Sequence, residues 1–571
     1  MHSACTWDAI NTNAAIKPNF LNIPCPRGIN DHCCFAYIQR CHAFHKVDCI
    51  AIMPPKATRT RLMSISSKVD KLKTLAYVAG FLICLCVTPS IPAKAASLLR
   101  VGIVAFPASD GDPHRSVSVF TAYTWSPIFE TLTTFREDGE LVGELATSWE
   151  QIEPTLWHFS IRKGVVFSNG RPLTAHDVVH SLDYLKTPHG QTTSTARDLS
   201  TIASAYAVDT LTLAIKTAKP SAILPRIMAA LYVVEPDHWD ALGPDGFARD
   251  PIGSGPFKVD SWEQGQVSYL ANPNSWRAPR IDEMQILHLP EVTSRLQALI
   301  TGGIDISIGM GPDDIALIEA AGGYMHQRNP IDVISITFVV EEGKPVNDVR
   351  VRRALNYAVN KDAIADVLLS GYSKPATQGA VAGLLGYNPN LKPYPYDPER
   401  ARRLLKEAGY EAGFDLDIEV IIGSNASDSA IYQLVASNLA DVGVTMRVSS
   451  IPTSQMVRII LQGKWRGDGF SQVFGAWPTF EPIRTIRLHS CLWPNPWFCD
   501  KRIMPTMNAA MEAPNLERRA ELTREILAFY HDQATAILLH EIPLLDAIGP
   551  RVVGYSPNKG KINYETLTLR D

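Results

Sequence analysis

Alternating apolar and polar positions indicate several short strands. Residues 98–106 (LLRVGIVAF) are an apolar run rich in β-branched side chains, and residues 157–162 (WHFSIR) and 207–215 (AVDTLTLAI) alternate apolar with polar positions. Residues 335–340 (SITFVV) and 416–422 (LDIEVII) have the same character. Such patterns predict buried or half-buried strands.

Helical periodicity occurs between these strands. Asp397 and Pro398 predict the N-cap and first residue of a helix that ends at Gly409. A second predicted helix begins at Asp348, and its three arginines are interpreted as a solvated face. The apolar stripes of the two helices consist of Ala401, Leu404, Leu405 and Ala408, and of Val351, Ala354, Leu355, Ala358 and Val359. Strands mixed with helices over this length predict two α/β lobes.

His176 and His180 have the i, i+4 spacing of two histidines that grip zinc on a helix. Thr174 and Asp177, however, are spaced as a capping box at the start of that helix. The apolar stripe begins at Val178, which places both histidines on the opposite, solvated face. The pattern therefore predicts a helix start and no metal site.

The N-terminal region predicts export. Residues 75–87 (LAYVAGFLICLCV) form a charge-free run behind three lysines, and residues 93–95 (AKA) supply a cleavage pattern. The run is shorter than the roughly 20 residues of a membrane-spanning helix. We interpret residues 63–95 as a signal peptide for the periplasm, and residues 1–62 as an upstream extension from a wrongly assigned start. Neither Cys84 nor Cys86 follows a small residue, so a lipoprotein is not expected.

Charge and cysteine content narrow the function further. Beyond residue 95 acidic residues outnumber basic ones, 54 to 43, which argues against a nucleic-acid partner. Cys491 and Cys499 are the cysteines left after the signal, and they predict one disulfide in an oxidising compartment, with two free thiols as the alternative. No G-x-S-x-G elbow and no P-loop is present. We expect no enzyme activity, no catalytic residues and no cofactor.

Several motifs follow one another in the order of a known family. They are residues 145–149 (LATSW), 157–167 (WHFSIRKGVVF), 169–179 (NGRPLTAHDVV), 251–258 (PIGSGPFK), 272–276 (NPNSW) and 346–355 (VNDVRVRRAL). Together they resemble family 5 of the bacterial solute-binding proteins, which serves ABC importers of peptides and nickel. The resemblance extends over nearly the whole exported chain.

The resemblance implies a fold and a division of the chain. The fold would be a two-lobed periplasmic-binding-protein clamshell of type II, in the large cluster with an extra subdomain in lobe one. Lobe one would hold residues 97–332 and 540–571, and lobe two residues 333–539. The protein would act as a monomer that binds a small-molecule solute and delivers it to ABC permease subunits, with the ATPase as a separate subunit.

The ligand site is expected around residues 474–482 (FGAWPTFEP). Peptide binders of the family carry a Trp followed three residues later by an Asp that pairs with the peptide amino group. In this chain the residue three positions after Trp477 is Phe480. Glu481 is the candidate replacement for the aspartate, but it lies one position later. This departure argues against ordinary dipeptide recognition and leaves the solute open. The candidate ligand contacts are Phe106, Pro107, Ala108, Gly475, Trp477, Phe480 and Glu481.

Two other functions stay open on the sequence alone. An exported hydrolase would use a carboxylate pair in the same cleft. A sensor or chaperone would dock on a membrane receptor in place of a permease.

Overall fold

The computed structural model describes residues 96–115, 118–421 and 427–570. The predicted extension (1–62) and signal peptide (63–95), including Cys84 and Cys86, lie outside these residues. None of the helices in the described ranges combines the length and the hydrophobicity that a membrane crossing requires.

A seven-stranded sheet is built from both ends of the described chain. Its central strand, Leu98–Ile103, pairs in parallel with a strand on each side, and the remaining pairings are antiparallel. In spatial order the strands are Tyr324–Arg328, Leu544–Ile548, Ile306–Ile308, Leu98–Ile103, Glu283–His288, Gln266–Ala271 and Phe257–Glu263. We call this the first sheet.

A five-stranded sheet is built from the middle of the chain. Its strands, in spatial order, are Val444–Ser450, Phe414–Val420, Gly469–Gly475, Asp332–Phe338 and Ala536–Glu541. Asp332–Phe338 runs antiparallel to both of its neighbours. Its side chains are nearly all buried, which agrees with the unbroken apolar run in the sequence. We call this the second sheet.

The chain passes between the two sheets twice. Residues 329–331 join Tyr324–Arg328 to Asp332–Phe338, and residues 542–543 join Ala536–Glu541 to Leu544–Ile548. We name residues 96–328 and 544–570 the first-sheet side, and residues 332–541 the second-sheet side. The described residues belong to one compact unit, so the two sides are in close contact.

A smaller antiparallel sheet belongs to the first-sheet side. Its strands are Ala146–Glu153, Leu156–Ile161, Thr212–Thr217 and Ile202–Asp209. The helix Ala175–Tyr184 packs on it, and the Asp177 carboxylate accepts a hydrogen bond from the N–H of Thr174 (2.6 Å), as the capping pattern predicted. His180 lies 2.9 Å from Asp240, and His176 is exposed.

The single strand predicted over residues 207–215 is wrong. The structure has a hairpin there, because the Asp209 carboxylate accepts hydrogen bonds from the N–H groups of Leu211 (2.8 Å) and Thr212 (2.9 Å) and turns the chain. The turn contains neither Gly nor Pro, so the alternating pattern continues through it without a break.

Helices cover the sheets. Those of eight or more residues in the described ranges are Ala175–Tyr184, Pro236–Phe247, Val292–Ile300, Val349–Ala358, Pro398–Glu407, Asp428–Ala440, Thr453–Gln462, Met504–Met511 and Leu516–Asp532. The helices predicted from Asp348 and Asp397 are confirmed, and both aspartates cap them. The solvated face predicted for the three arginines is wrong for Arg352, which is buried and donates to the carbonyl oxygens of Val346 and Gln533.

The predicted disulfide between Cys491 and Cys499 is confirmed. The two residues lie eight positions apart on the second-sheet side, and their Cα atoms are 4.6 Å apart. The bridge closes a short loop that contains the buried Trp497. It therefore restricts the unfolded chain at this point.

Replacing both cysteines with serine should lower the free energy of unfolding by about 2 to 3 kcal/mol, because a loop of this length loses that much closure entropy. Urea unfolding of the Cys491→Ser/Cys499→Ser variant measures the change. The wild-type protein in excess reductant is the control, and it should unfold at the same urea concentration as the variant. Equal midpoints for oxidised wild type and variant would show that the bridge does not stabilise this region.

Candidate functional site

The loop of residues 476–482 leaves the second sheet directly after the strand Gly469–Gly475. Its first N–H, from Ala476, donates to the Asp332 carboxylate (3.0 Å). The hydroxyl of Thr485 donates to the carbonyl of Gly475 (2.6 Å), and the Trp477–Pro478 peptide bond is cis. These contacts fix the start of the loop against the strand that carries the first crossing between the sheets.

Arg226, on the first-sheet side, binds the backbone of this loop. Its Nε donates to the carbonyl of Thr479 (3.0 Å) and its Nη2 to the carbonyl of Phe480 (3.1 Å). The guanidinium lies over the ring of Phe135, 4.6 Å from its centre, and burial lowers the pKa of Arg226 to about 10. The arginine thus connects the two sides through peptide carbonyls and not through a carboxylate.

Aromatic side chains fill the space around Arg226. The rings of Phe135 and Phe480 meet edge to face at 4.6 Å, and Trp477 meets Phe480 at 5.6 Å. Phe480 is fully buried with a positive φ of 50°. Because Phe135 comes from the first-sheet side and the other two rings from the second, an apolar cluster spans both sides.

A small cavity remains between the two sides. Its open space is about the size of one water molecule, and its walls are Ser118, Thr121, Ala229, Ala230, Tyr232, Trp477 and Pro478. Trp477 is 9% exposed, and a Cβ on Gly560 would lie 2.4 Å from its ring, so only glycine allows this approach. The hydroxyls of Tyr232 and Thr479 are buried without a hydrogen-bond partner in the described part of the chain.

The sequence-predicted residues divide into two groups. Trp477 and Phe480 lie at the contact between the sides. Phe106 follows the strand Leu98–Ile103 and stacks on His288 of the same sheet at 5.5 Å, beside a buried Pro107 and an exposed Ala108. A Cβ on Gly475 would keep ordinary distances of 3.7 Å or more, so neither a tight turn nor close packing requires a glycine there.

Glu481 forms a buried ion pair with Arg519, with 2.5 Å between Oε1 and Nε. Nη1 of Arg519 also donates to the carbonyl of Ala510 (2.6 Å). Both partners lie on the second-sheet side, and both are almost fully buried. The carboxylate thereby holds the end of the 476–482 loop against the helix Leu516–Asp532.

Two further ion pairs join the sides near this loop. Arg484, on the helix Ile483–Ile486, binds Asp198 with two hydrogen bonds of 3.0 and 2.8 Å. Lys219 pairs with Glu512 at the exposed surface. Two ion pairs, one exposed and one partly exposed, thus add to the apolar contact between the sides.

Asp332 is the acidic group closest to the start of the loop. Burial is the largest effect on its carboxyl, and it raises the pKa to about 6. The hydrogen bond from Ala476 and the positive charges of Arg484 and Lys559 offset part of that effect. In the described ranges, no group of three or more His, Cys, Asp or Glu side chains is placed to hold a metal ion.

Sequence reasoning missed Arg226, Phe135, Tyr232, Gly560 and Asp332 as parts of this site. Arg226 meets its partners 253 and 254 positions further along the chain. Its neighbours in the sequence are Pro225 and Ile227, which give no local signal for a buried cation. Only the folded arrangement brings these residues to the loop.

Comparison with known proteins gives consistent results. A family model described as bacterial extracellular solute-binding proteins, family 5 Middle, matches residues 140–482. The dipeptide-binding protein of Escherichia coli (strain K12) is 25% identical over 487 residues, covering 78% of this chain and 89% of that protein. Heme-binding protein A of Haemophilus influenzae is 26% identical over 466 residues, covering 75% and 84%.

The solved structures agree on the fold. The ABC transporter-associated periplasmic binding protein DppA from Helicobacter pylori, in complex with peptide STSA, superposes with a TM-score of 0.71 at 20% identity. The match covers 83% of this chain and 98% of that one. The predicted fold class, a two-lobed α/β clamshell of the periplasmic-binding-protein type, is confirmed.

Removing the Glu481 carboxylate should destabilise the protein, because Arg519 would then be a buried charge without a partner. We expect Glu481→Ala to lower the free energy of unfolding by about 3 to 5 kcal/mol, measured by urea unfolding. The double variant Glu481→Ala/Arg519→Met should recover part of that loss. Wild-type stability of Glu481→Ala would contradict the structural role of the pair.

Asp332 should make stability depend on pH. Its folded-state pKa of about 6 lies above the ordinary value of 3.8, so the folded protein holds this proton more tightly than the unfolded chain. Its contribution to stability therefore falls as pH rises from about 4 to about 6 and stays low above that.

Asp332→Asn keeps an oxygen for the Ala476 N–H but carries no charge. It should be more stable than wild type by about 2 to 3 kcal/mol at pH 8 and nearly equal in stability at pH 4. Thermal unfolding across this range measures the difference. Asp260→Asn, on an exposed strand position, is the matched control and should show no such trend. A constant difference for Asp332→Asn at all pH values would show that its carboxyl does not titrate in this range.

Proposed function

The chain belongs to family 5 of the bacterial extracellular solute-binding proteins, and we propose that it captures a small solute between two lobes and delivers it to a membrane permease. We take lobe one as the first-sheet side and lobe two as the second-sheet side, which keeps the predicted division (97–332 with 540–571, and 333–539) to within a few residues of each crossing. The observation that carries the proposal is a contact between the two sides of the molecule. Arg226, on the first-sheet side, binds the backbone of the 476–482 loop on the second-sheet side. Only two short crossings of the chain join these two sides.

The two crossings act as the hinge. They consist of residues 329–331 and 542–543, and both connect strands of different sheets. Rotation at these few backbone positions separates the lobes while both sheets keep their hydrogen bonds. The separated lobes expose Trp477, Tyr232 and the rest of the cavity wall to a solute.

The lobes exchange between an open and a closed arrangement. A solute shifts this equilibrium only by the difference between its affinities for the open and the closed protein. Moving the closed population from 1% to 99% requires about 5.5 kcal/mol of such difference. That difference must come from contacts with both lobes at once. The cavity, with walls from both lobes, supplies such contacts.

The unpaired hydroxyl of Tyr232 is the best-supported polar contact to the solute. Tyr232 lines the cavity, and its hydroxyl lacks a hydrogen-bond partner in the described structure. A buried hydroxyl without a partner costs about 1 to 3 kcal/mol, which a solute recovers when it supplies the partner. Trp477 supplies the aromatic part of the cavity wall, and Phe480 packs against it. None of Phe106, Pro107, Ala108 and Gly475 lines this cavity. Glu481 acts through its pairing with Arg519.

The partners follow from the family. Its members include periplasmic proteins associated with ABC transporters. We infer that this protein works in the periplasm as a monomer, and that it docks on the permease of an importer whose ATPase is a separate subunit. It alters no covalent bond in the solute, so it is a binding protein and not an enzyme. No feature of the site favours the hydrolase or the receptor-docking alternative.

The test is solute binding by the exported protein. Solutes that co-purify from the periplasm are identified by mass spectrometry, and a dipeptide, the peptide STSA and haem serve as defined probes. A cognate solute should raise the melting temperature and reduce the radius of gyration in solution scattering. The capture mechanism is wrong if a bound solute raises the melting temperature without any compaction.

Tyr232→Phe removes only the hydroxyl, so it separates recognition from folding. We expect the affinity for the co-purified solute to fall about 3- to 10-fold, the value of one hydrogen bond. The melting temperature without solute should stay equal or rise, since the hydroxyl has no protein partner. Calorimetric titration measures the affinity, and Tyr206→Phe, an exposed tyrosine, is the control. Unchanged affinity for Tyr232→Phe would remove this residue from the site.

A further inference from the structure

A second cavity lies within the second-sheet side. It has room for about one or two water-sized particles, and it is bordered by the strand Ala536–Glu541, the end of the helix Leu516–Asp532 and residues 376–379. Most of its wall is apolar, as with Phe474, Ile486 and Leu527. None of the residues that wall the cavity between the lobes takes part in it. The two cavities are therefore separate sites.

Lys361 brings a cationic side chain to this apolar cavity. The lysine is 4% exposed, and its Nζ donates one hydrogen bond, to Oδ1 of Asn356 (3.1 Å). An ammonium group has three N–H donors. None of the ion pairs in the described part of the chain includes Lys361, and burial lowers its pKa to about 7. A positive charge here has no counter-charge within ion-pair distance.

The surrounding polar groups are already engaged elsewhere. The amide nitrogen of Asn356 donates to the carbonyls of Arg352 (3.1 Å) and Ala536 (3.0 Å), which turns its oxygen toward Lys361. Because the Asn356 oxygen is a neutral acceptor, it solvates the ammonium but does not balance its charge.

The end of the helix Leu516–Asp532 does not balance the charge either. Its terminal carbonyls accept hydrogen bonds from Arg352 at Gln533 (2.9 Å), from Arg353 at Asp532 (2.8 Å), and from Tyr394 at His531 (2.9 Å). The titratable groups that line the cavity beside Lys361 are Tyr394, Tyr530 and His531. Burial raises the pKa of both tyrosines and lowers the pKa of His531. At neutral pH the tyrosines therefore keep their protons and the histidine is uncharged, so none of the three is an anion.

We propose that this cavity binds a small monovalent anion, of the size of chloride, against Nζ of Lys361. A buried cation is costly without a counter-charge, and the free N–H donors of the ammonium can satisfy one ion. The apolar walls exclude strongly hydrated divalent anions. The open space suits one or two water-sized particles and not a larger organic acid.

The location gives the anion a structural consequence. It contacts the strand Ala536–Glu541, which leads directly into the second crossing, and the helix end that packs beside it. A π-helical turn, Ile364–Leu368, follows Lys361 and marks an irregular backbone at this point. Occupancy would therefore stabilise the second-sheet side close to the hinge, independently of any solute between the lobes.

The experiment uses bromide as the probe and the exported protein without added solute. Crystals soaked in sodium bromide should show anomalous density in the cavity within about 4 Å of Nζ of Lys361. In solution, the melting temperature should rise with bromide or chloride concentration relative to sodium gluconate at equal ionic strength, as expected for a ligand of the folded state. Lys361→Met should abolish this difference, and Lys216→Met, an exposed lysine, should retain it.

The outcomes separate this site from the solute site. Density for water alone in the cavity, or equal melting in bromide and gluconate, would overturn the proposal. A halide effect that persists in Lys361→Met would also overturn it, since the ion would then bind elsewhere. If Lys361→Met does not fold, the anomalous density in wild-type crystals decides alone. None of these results depends on solute capture between the lobes.

Discussion

The two short crossings between the sheets constrain everything else in the molecule. Three residues join one pair of strands and two residues join the other. Because consecutive Cα atoms are about 3.8 Å apart, the sheets can turn about these links but cannot slide away from each other. Asp332 begins one of the linked strands and also holds the N–H of Ala476. The 476–482 loop therefore starts beside a crossing, and the short links hold it opposite the same residues of the first-sheet side.

The loop can be recognised by Arg226 only if its carbonyls point in a fixed direction. That direction is set at both ends, by Asp332 at the start and by the Glu481–Arg519 pair at the end. A buried ion pair is weak evidence for stability, since desolvation offsets much of its attraction. Here its effect is to restrict the loop to one geometry, with the oxygens of Thr479 and Phe480 facing a buried guanidinium.

The features that could be predicted from the sequence are local ones or shared with a family. Capping by Asp348 and Asp397 and the periodic stripes behind them defined two helices correctly, because the signals lie within one or two turns. Family motifs gave the fold class and directed attention to residues 474–482. The burial of Arg226 could not be predicted, because its carbonyl partners lie 253 and 254 positions away. Arg352 has a carbonyl partner six positions away, Val346, but its contact with Gln533 lies 181 positions along the chain. The Asp209 turn was missed because its side-chain hydrogen bonds replace the usual Gly or Pro.

The favourable and unfavourable contributions at the contact between the lobes are close in size. A bound solute can therefore determine the population of the closed arrangement. The pair Arg484–Asp198 is partly exposed and Lys219–Glu512 is exposed, and such pairs contribute about 0 to 1 kcal/mol each. Arg226 gains two hydrogen bonds but loses hydration, so its net contribution is modest. The hydroxyl of Tyr232 is buried at this contact without a partner, at a cost of about 1 to 3 kcal/mol. The polar contacts thus favour closure weakly, and most of the attraction comes from the apolar cluster around Phe135, Trp477 and Phe480. On this reasoning, a solute gains most by placing a hydrogen-bonding group against the Tyr232 hydroxyl.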